Sequence, residues 1–121
     1  MAHTLLVVDD SASMRQMVTF TLKDAGYEVI AAAHGKEALA KLDGTRVSMV
    51  ITDLNMPEMD GIELIRQLRS RPGCRFIPIV MLTTESQEAK KQAGRQAGAS
   101  GWIVKPFNPD QLVETVRKFV K

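Results

Sequence analysis

The sequence predicts an α/β domain of the doubly wound class, in which helices cover both faces of a five-stranded parallel sheet. Its 121 residues suit one domain with one core. Hydrophobic residues make up 45% of the chain and charged residues 25%, as in an ordinary folded protein. Five short apolar runs alternate with five stretches of helical periodicity, a pattern that indicates right-handed crossovers between parallel strands. We therefore expect a single (βα)5 domain over residues 1–121.

The five predicted strands are short apolar runs rich in β-branched residues. Such continuous runs are typical of strands that are buried on both faces. Pro78 is compatible with the fourth run only near its start, because proline cannot donate a hydrogen bond to a neighbouring strand. The predicted ranges are 4–8, 27–32, 48–52, 77–82 and 101–104.

Helix boundaries are indicated by capping residues. Ser13 is predicted to cap the first helix and Gly26 to end it. Asp60 is predicted to cap the third helix, and Asn108 followed by Pro109 the fifth. The second helix is short and ends at 43–44. The residues predicted to face the core from the first and last helices are Met14, Met17, Val18, Leu22, Leu112, Val113, Val116, Phe119 and Val120.

The fourth helix, over residues 85–97, is the weakest of the five. Its inward positions offer little beyond alanine, and Gly94 lies inside it, which costs up to about 1 kcal/mol relative to alanine. Thr84 with Gln87 could form a capping box at its start. We expect this helix to be the most loosely held.

Composition excludes several classes of protein. The single cysteine, Cys74, cannot form an internal disulfide, and residues 1–3 do not have the pattern of a secretion signal. No apolar run reaches the roughly 18 to 20 residues that a membrane span requires. We therefore expect a cytoplasmic protein without direct membrane contact.

Positive charge is concentrated at the C-terminal end of the chain. Residues 90–121 carry 7 basic and 2 acidic side chains, whereas residues 1–89 carry 9 and 12. No set of aromatic residues accompanies this charge, so nucleic-acid binding is not expected. The alternatives are a solvated face or a docking face for an acidic partner. The basic residues concerned are Lys90, Lys91, Arg95, Arg117, Lys118 and Lys121.

Three aspartates follow two of the predicted strands. Asp9 and Asp10 end the first apolar run, and Asp53 ends the third. If these strands are neighbours, three carboxylates meet at one edge of the sheet and require a counter-charge. Mg²⁺ suits such a site, because it binds carboxylates and keeps waters that a phosphate oxygen can replace. The alternative is that Asp10 caps the first helix and Asp53 is a solvated loop residue.

A hydroxyl and an ammonium group are predicted at the same edge. Thr83 and Thr84 follow the fourth run, and Lys105 follows the fifth. Together they supply the donor and the positive charge that a phosphoryl group requires. Thr83 is the better candidate, since Thr84 is the residue that could cap a helix.

With these residues the chain resembles the response-regulator receiver family, and within it the stand-alone CheY-like chemotaxis regulators. The resemblance extends over essentially the whole chain, with Thr83 30 positions after Asp53 and Lys105 22 positions after Thr83. It implies a flavodoxin-like fold with strand order 2-1-3-4-5. The runs that carry it are Leu5-Leu6-Val7-Val8-Asp9-Asp10, Asp53-Leu54-Asn55-Met56-Pro57-Glu58-Met59-Asp60-Gly61, Thr83-Thr84 and Lys105-Pro106-Phe107.

The resemblance implies a phosphorylation switch rather than an enzyme with a separate substrate. Asp53 would accept a phosphoryl group from phosphohistidine, while Thr83 and Lys105 neutralise phosphoryl oxygens. Asn55 and Glu85 would flank the site and tune hydrolysis of the phosphate. The implied Mg²⁺ ligands are Asp9, Asp10, Asp53 and the backbone carbonyl of Asn55.

The resemblance also implies a conformational output. The Thr83 hydroxyl would move to the phosphoryl group and Trp102 would turn inward, where most relatives have Tyr or Phe. The face formed by the fourth helix, fifth strand and fifth helix would then dock partners. The Lys105-Pro106 peptide bond is expected to be cis, which would turn the lysine toward the site. The alternative for Trp102 is a half-buried packing residue.

The partners implied are a CheA-like sensor histidine kinase, an output protein such as a flagellar motor switch component, and a phosphatase, with the chain itself a monomer. Other functions on the same fold have less support. An FMN protein is disfavoured, because Asp9-Asp10 stands where a phosphate loop would be expected. An aspartate-dependent phosphatase would need a second acid at position 55, where Asn55 stands. An interaction module, or a phosphate sink or relay, would share these sequence features.

Overall fold

The computed structural model describes residues 3–120 and consists of five strands alternating with five helices. The strands are β1 (Thr4–Val8), β2 (Glu28–Ala32), β3 (Met49–Thr52), β4 (Ile79–Thr83) and β5 (Gly101–Val104). The helices are α1 (Ala12–Asp24), α2 (Gly35–Lys41), α3 (Gly61–Arg69), α4 (Glu88–Ala97) and α5 (Pro109–Phe119), with a short 3₁₀ turn at Pro72–Cys74.

All neighbouring strands are parallel, in the order β2-β1-β3-β4-β5. The strand order implied by the resemblance is therefore confirmed. β1 pairs with both β2 and β3, so the winding direction reverses between β1 and β3. Val8 lies opposite Thr52, which brings the carboxyl ends of β1 and β3 side by side. Ligands of doubly wound folds bind at this position.

Alternate residues of each strand face opposite sides of the sheet, and both sides are covered. Leu5 and Val7 pack beneath α1 and α5, whereas Leu6 and Val8 pack beneath α2, α3 and α4. This explains why the strands are continuous apolar runs rather than alternating ones. Among the described residues no helix is long and apolar enough to span a bilayer.

Of the N-caps predicted for α1, α3 and α5, two are confirmed and one is wrong. The Asp60 and Asn108 side chains accept hydrogen bonds from backbone N–H groups at the starts of α3 and α5, at 2.8 and 2.7 Å. α1, however, begins at Ala12 and is capped by Ser11, whose hydroxyl accepts from Met14 N at 3.3 Å. Ser13 lies inside the helix, because the Asp9 carboxylate accepts the Ser11 N–H and fixes Ser11 in an extended conformation.

Two side chains predicted to face inward are only partly covered. Met17 and Phe119 each leave 38% of their surface in contact with solvent. The buried positions are Val18 and Leu22 in α1, and Leu112 and Val116 in α5. In each helix the two positions lie four residues apart along the inner face. Met17 and Phe119 lie one step from these rows, so they occupy the margin of the apolar stripe.

The start of α4 also differs from the prediction. β4 ends at Thr83, one residue later than expected, and α4 begins at Glu88 rather than at residue 85. The predicted Thr84 capping box is absent, since Gln87 is the N-cap residue and no side chain caps the helix. Residues 84–87 therefore form a loop above the carboxyl edge of the sheet. The first residues predicted for β2, β3 and β4 lie just before those strands.

Arg69 connects the end of α3 to the end of α4. Its Nη1 donates to the carbonyl oxygens of Cys74, Arg75 and Ile77 at 2.9, 3.1 and 2.7 Å. Its Nε and Nη2 donate to Gly98 O at 3.2 and 2.7 Å. Burial of the guanidinium lowers the pKa of Arg69. One side chain thus satisfies four backbone carbonyls at the end of the domain opposite the strand carboxyl ends.

We expect Arg69→Lys to lower the free energy of unfolding by about 1 to 3 kcal/mol, because a single ammonium nitrogen cannot span the four carbonyls that three separate guanidinium nitrogens reach. Urea denaturation measures this change. Arg66→Lys is the matched control on the exposed side of α3, and we expect it to change stability by less than about 0.5 kcal/mol. Equal effects of the two substitutions would contradict the bridging role of Arg69.

Candidate functional site

Three carboxylates meet where β1 and β3 end. Asp9 and Asp10 follow β1, and Asp53 follows β3, where its N–H donates to Val8 O at 2.9 Å. One oxygen of each carboxylate lies within 4.8 Å of the others. Asp9 is 2% exposed and Asp53 9% exposed, whereas Asp10 is open to solvent. The predicted gathering of these acids is confirmed.

Lys105 supplies positive charge inside this cluster. Its Nζ lies 2.9 Å from Asp9 Oδ2 and 3.7 Å from Asp53 Oδ2, and its side chain is only 10% exposed. The Lys105 N–H donates to Thr83 O at 2.8 Å, which places the residue just beyond the paired ends of β4 and β5. The Lys105-Pro106 peptide bond is cis, as the resemblance implied.

The pKa of the Asp53 carboxyl is raised, and burial is the largest cause. The negative charge of Asp9 raises it further, while the Lys105 ammonium opposes the rise. The nearby Thr83 hydroxyl and the hydrogen bond from the Leu54 N–H also lower the pKa of Asp53. The protein therefore does not fully compensate the energetic cost of ionising Asp53. Additional positive charge nearby would stabilise the ionised carboxylate.

The donor set fits a Mg²⁺ ion. Mg²⁺ prefers hard oxygen ligands and binds through one or two carboxylates while keeping several waters. Asp9, Asp10 and Asp53 offer three such oxygens around a common position, and the exposure of Asp10 leaves that position open to solvent. Asn55 lies on the exposed loop after β3, and a contribution from its carbonyl stays a prediction.

The fourth and fifth strands bring the remaining predicted residues together. Thr83 ends β4, is fully buried, and accepts a hydrogen bond from Glu85 N at 3.3 Å. Glu85 O in turn accepts from Trp102 Nε1 at 2.8 Å. Trp102 is half-buried and packs against the core beneath α4. Thr84 is exposed at the start of the loop.

Two residues of the site were not identified from the sequence. Arg15 Nη1 donates to the Asp9 carbonyl at 2.7 Å, a contact that nothing in the spacing of α1 indicates. A Cβ at Gly61 would lie 2.3 Å from Asp53 O, so only glycine fits there. The Asp60-Gly61 pair at the predicted helix start was the available signal, since glycine often marks a close approach of backbone.

A doubly wound sheet with acidic residues, a lysine and a buried threonine at its switch point defines the receiver class of domains. The profile of the response regulator receiver domain matches residues 5–117, and the chain belongs to this family. It is accordingly a two-component response regulator.

Curated relatives and solved structures agree with this assignment. The chain is 47% identical over 112 residues to "Chemotaxis protein CheY1" of Helicobacter pylori, covering 91% of this chain and 90% of the relative. It is 44% identical to the "Chemotaxis protein CheY homolog" of Campylobacter jejuni, covering 91% and 86%. The solved structure of Vibrio cholerae CheY4 shares 50% identity at a TM-score of 0.96, covering 99% of this chain and 100% of that one.

We expect Asp53→Asn to increase the free energy of unfolding at neutral pH in buffer without divalent cations. The pKa of the Asp53 carboxyl is higher in the folded than in the unfolded chain, so the folded state binds the proton more tightly. Stability of the unaltered protein should therefore fall as pH rises from the ordinary aspartate range through the raised pKa of Asp53. The uncharged amide of the Asp53→Asn variant removes this decrease.

Urea denaturation over a pH series measures the effect. Asp24→Asn, at the exposed end of α1, is the control and should keep the pH-dependent decrease. A stability profile for Asp53→Asn that has the same pH slope as the unaltered protein would contradict the prediction.

Proposed function

We propose that the chain is a phosphoryl-accepting switch of a chemotaxis pathway and that Asp53 is the residue phosphorylated. The observation that carries this proposal is the position of Lys105 Nζ between the carboxylates of Asp9 and Asp53, with Asp10 beside them. A carboxylate nucleophile next to a buried ammonium and a cation site is the arrangement that phosphoryl transfer requires.

The two oxygens of Asp53 have different environments. Oδ1 accepts the Leu54 N–H at 2.8 Å, which fixes the carboxylate, while Oδ2 lies on the side of Lys105. We assign Oδ2 as the nucleophile. It would form the new bond to phosphorus as the bond between phosphorus and the histidine nitrogen of the donor breaks. The departing imidazole keeps that electron pair.

The surrounding residues neutralise charge rather than transfer protons. Lys105 would leave its contact with Asp9 to meet a phosphoryl oxygen, and the Thr83 hydroxyl would donate to another. The metal, when bound, supplies further neutralisation of the phosphoryl charge. Its proposed ligands are Asp9, Asp10, Asp53 and the Asn55 carbonyl. Asn55 and Glu85 lie in the loops that follow β3 and β4, and we propose that their side chains tune access of water to the phosphate.

The proposed output runs through the loop after β4. The Thr83 hydroxyl accepts from Glu85 N, so movement of this hydroxyl toward a phosphoryl group would break or shift that bond. Trp102 bonds to the same residue and forms one wall of a surface cavity of about 380 Å³ between α4 and β5. Lys91 and Arg95 line the same cavity. Phosphorylation would thereby alter a basic surface on the α4-β5-α5 face.

The partners that we propose follow from this arrangement and from the relatives, which are named as chemotaxis proteins. They are a CheA-like histidine kinase as donor, a flagellar motor switch component as output, and a phosphatase. We further propose a cytoplasmic monomer without affinity for nucleic acid. Of the other basic residues considered for a docking face, Arg117 lines the groove between α1 and α5, and Lys121 lies outside the described residues.

A phosphate sink or relay would use the same acceptor site, and the two functions differ in what binds the phosphorylated form. An output switch gains affinity for its target on phosphorylation, whereas a sink does not. The presence of Asp9, Asp10, Asp53, Thr83 and Lys105 together disfavours a receiver-shaped interaction module without phosphorylation.

Incubation with acetyl phosphate and Mg²⁺ should add one alkali-labile phosphoryl group, seen by intact mass. Asp53→Asn should abolish the adduct, and removal of Mg²⁺ with a chelator should reduce its formation at least about a hundredfold, since charge neutralisation dominates this reaction. Asp43→Asn, at an exposed loop position, is the matched control and should retain full labelling. A folded, unlabelled protein would contradict the proposed function.

Charge reversal at the cavity tests the docking face. Lys91→Glu together with Arg95→Glu should weaken binding of the phosphorylated protein to an acidic target by about tenfold or more, because like charges at a docking surface repel. Lys36→Glu, on the exposed side of α2, is the control. Calorimetry with the motor switch component of the same organism measures the affinities. Equal affinity for both variants would place the docking surface elsewhere.

A further inference from the structure

Gly94 occupies an unusual position for a glycine. It lies within α4 and is buried, although glycine weakens a helix interior relative to alanine. A Cβ at this position would lie 2.8 Å from Cζ3 and 3.5 Å from Cε3 of Trp102. The indole ring therefore rests directly against the backbone of α4, in space that any side chain at position 94 would occupy.

The opposite side of the indole is fixed by a hydrogen bond. Trp102 Nε1 donates to Glu85 O at 2.8 Å, and Glu85 N donates to the Thr83 hydroxyl at 3.3 Å. Both peptide groups that flank the Glu85 Cα are thus engaged, one by the ring and one by the threonine of the candidate site. The ring position and the loop over residues 84–87 are consequently linked.

We propose that Gly94 is a positioning residue for Trp102: the missing Cβ admits the indole against α4 and allows Nε1 to reach Glu85 O. The indole is rigid and has two side-chain torsions, so it cannot bend away from a new methyl group. It must rotate as a unit, which moves Nε1 off the Glu85 carbonyl. A role in signalling for the packing of Trp102 against Gly94 rests on the proposed function. The packing itself does not depend on that proposal.

The test uses the single tryptophan of the chain as its reporter. In metal-free, unphosphorylated protein, Gly94→Ala should shift the indole Nε1–H resonance and speed its exchange with solvent by about fivefold or more, the factor expected for one lost hydrogen bond. Gly73→Ala is the matched control, because a Cβ there meets nothing within 4 Å. It should leave the indole resonance unchanged.

A second pair of variants separates positioning from helix stability. In a Trp102→Phe background the ring is smaller, so Gly94→Ala should raise the melting temperature through the better helix propensity of alanine. In the Trp102 chain the same substitution should fail to raise it. Should Gly94→Ala alone not fold, recovery of folding by adding Trp102→Phe identifies the indole as the obstacle.

The proposal is overturned if Gly94→Ala leaves the indole resonance and its exchange unchanged, or if it stabilises both backgrounds equally. Failure of both Gly94→Ala proteins to fold would also overturn it, since the indole would then not be the obstacle. None of these measurements involves phosphorylation. A chain that takes no phosphoryl group but shows the indole effects would contradict the proposed function alone.

Discussion

The crowding of carboxylates at the junction of β1 and β3 is the constraint on which the rest of the site depends. Asp9 and Asp53 are nearly excluded from solvent, and this burial together with the negative charge of Asp9 raises the cost of ionising Asp53. Lys105 offsets part of this cost from the end of β5. The strand order is what makes the arrangement possible, because it places the ends of β1, β3, β4 and β5 along one edge.

Stability is provided elsewhere in the molecule. Two apolar layers, one on each face of the sheet, contain the fully buried apolar side chains, and Arg69 ties together the loops at the opposite end of the domain. The carboxyl edge can therefore keep unfavourable electrostatics without unfolding the chain. This division agrees with the general observation that functional sites carry local energetic costs that the surrounding structure compensates.

The fold and most of the site are predictable because their signals are local and strong. Apolar runs on both faces of a sheet, followed directly by Asp9, Asp53, Thr83 and Lys105, leave little freedom in where these residues lie. The errors have a different origin. Spacing alone favours Ser13 over Ser11 as a cap, because the bond from Ser11 N to Asp9 is a tertiary feature of the loop.

Contacts that form only when the helices pack against the sheet are beyond sequence reasoning. The pairing of Arg15 with the Asp9 carbonyl and the bond from Trp102 to Glu85 depend on the final packing of α1 and α4, and no periodicity indicates them. Met17 shows the same limit in a milder form. Its spacing fits the inner face of α1. Whether a residue at the edge of the apolar stripe is buried, however, depends on how the neighbouring helix packs.

Gly61 has a consequence for how a signal leaves the site. The Asp53 carbonyl lies against the Cα of Gly61, whose N–H donates to Leu54 O at 2.8 Å, so the main chain beneath the acceptor is wedged against the first turn of α3. That side of the site is closely packed. The loop from Thr84 to Gln87 is mostly exposed, and no side chain caps the helix that follows it. A displacement that began at Asp53 would therefore meet closer packing toward α3 than toward α4.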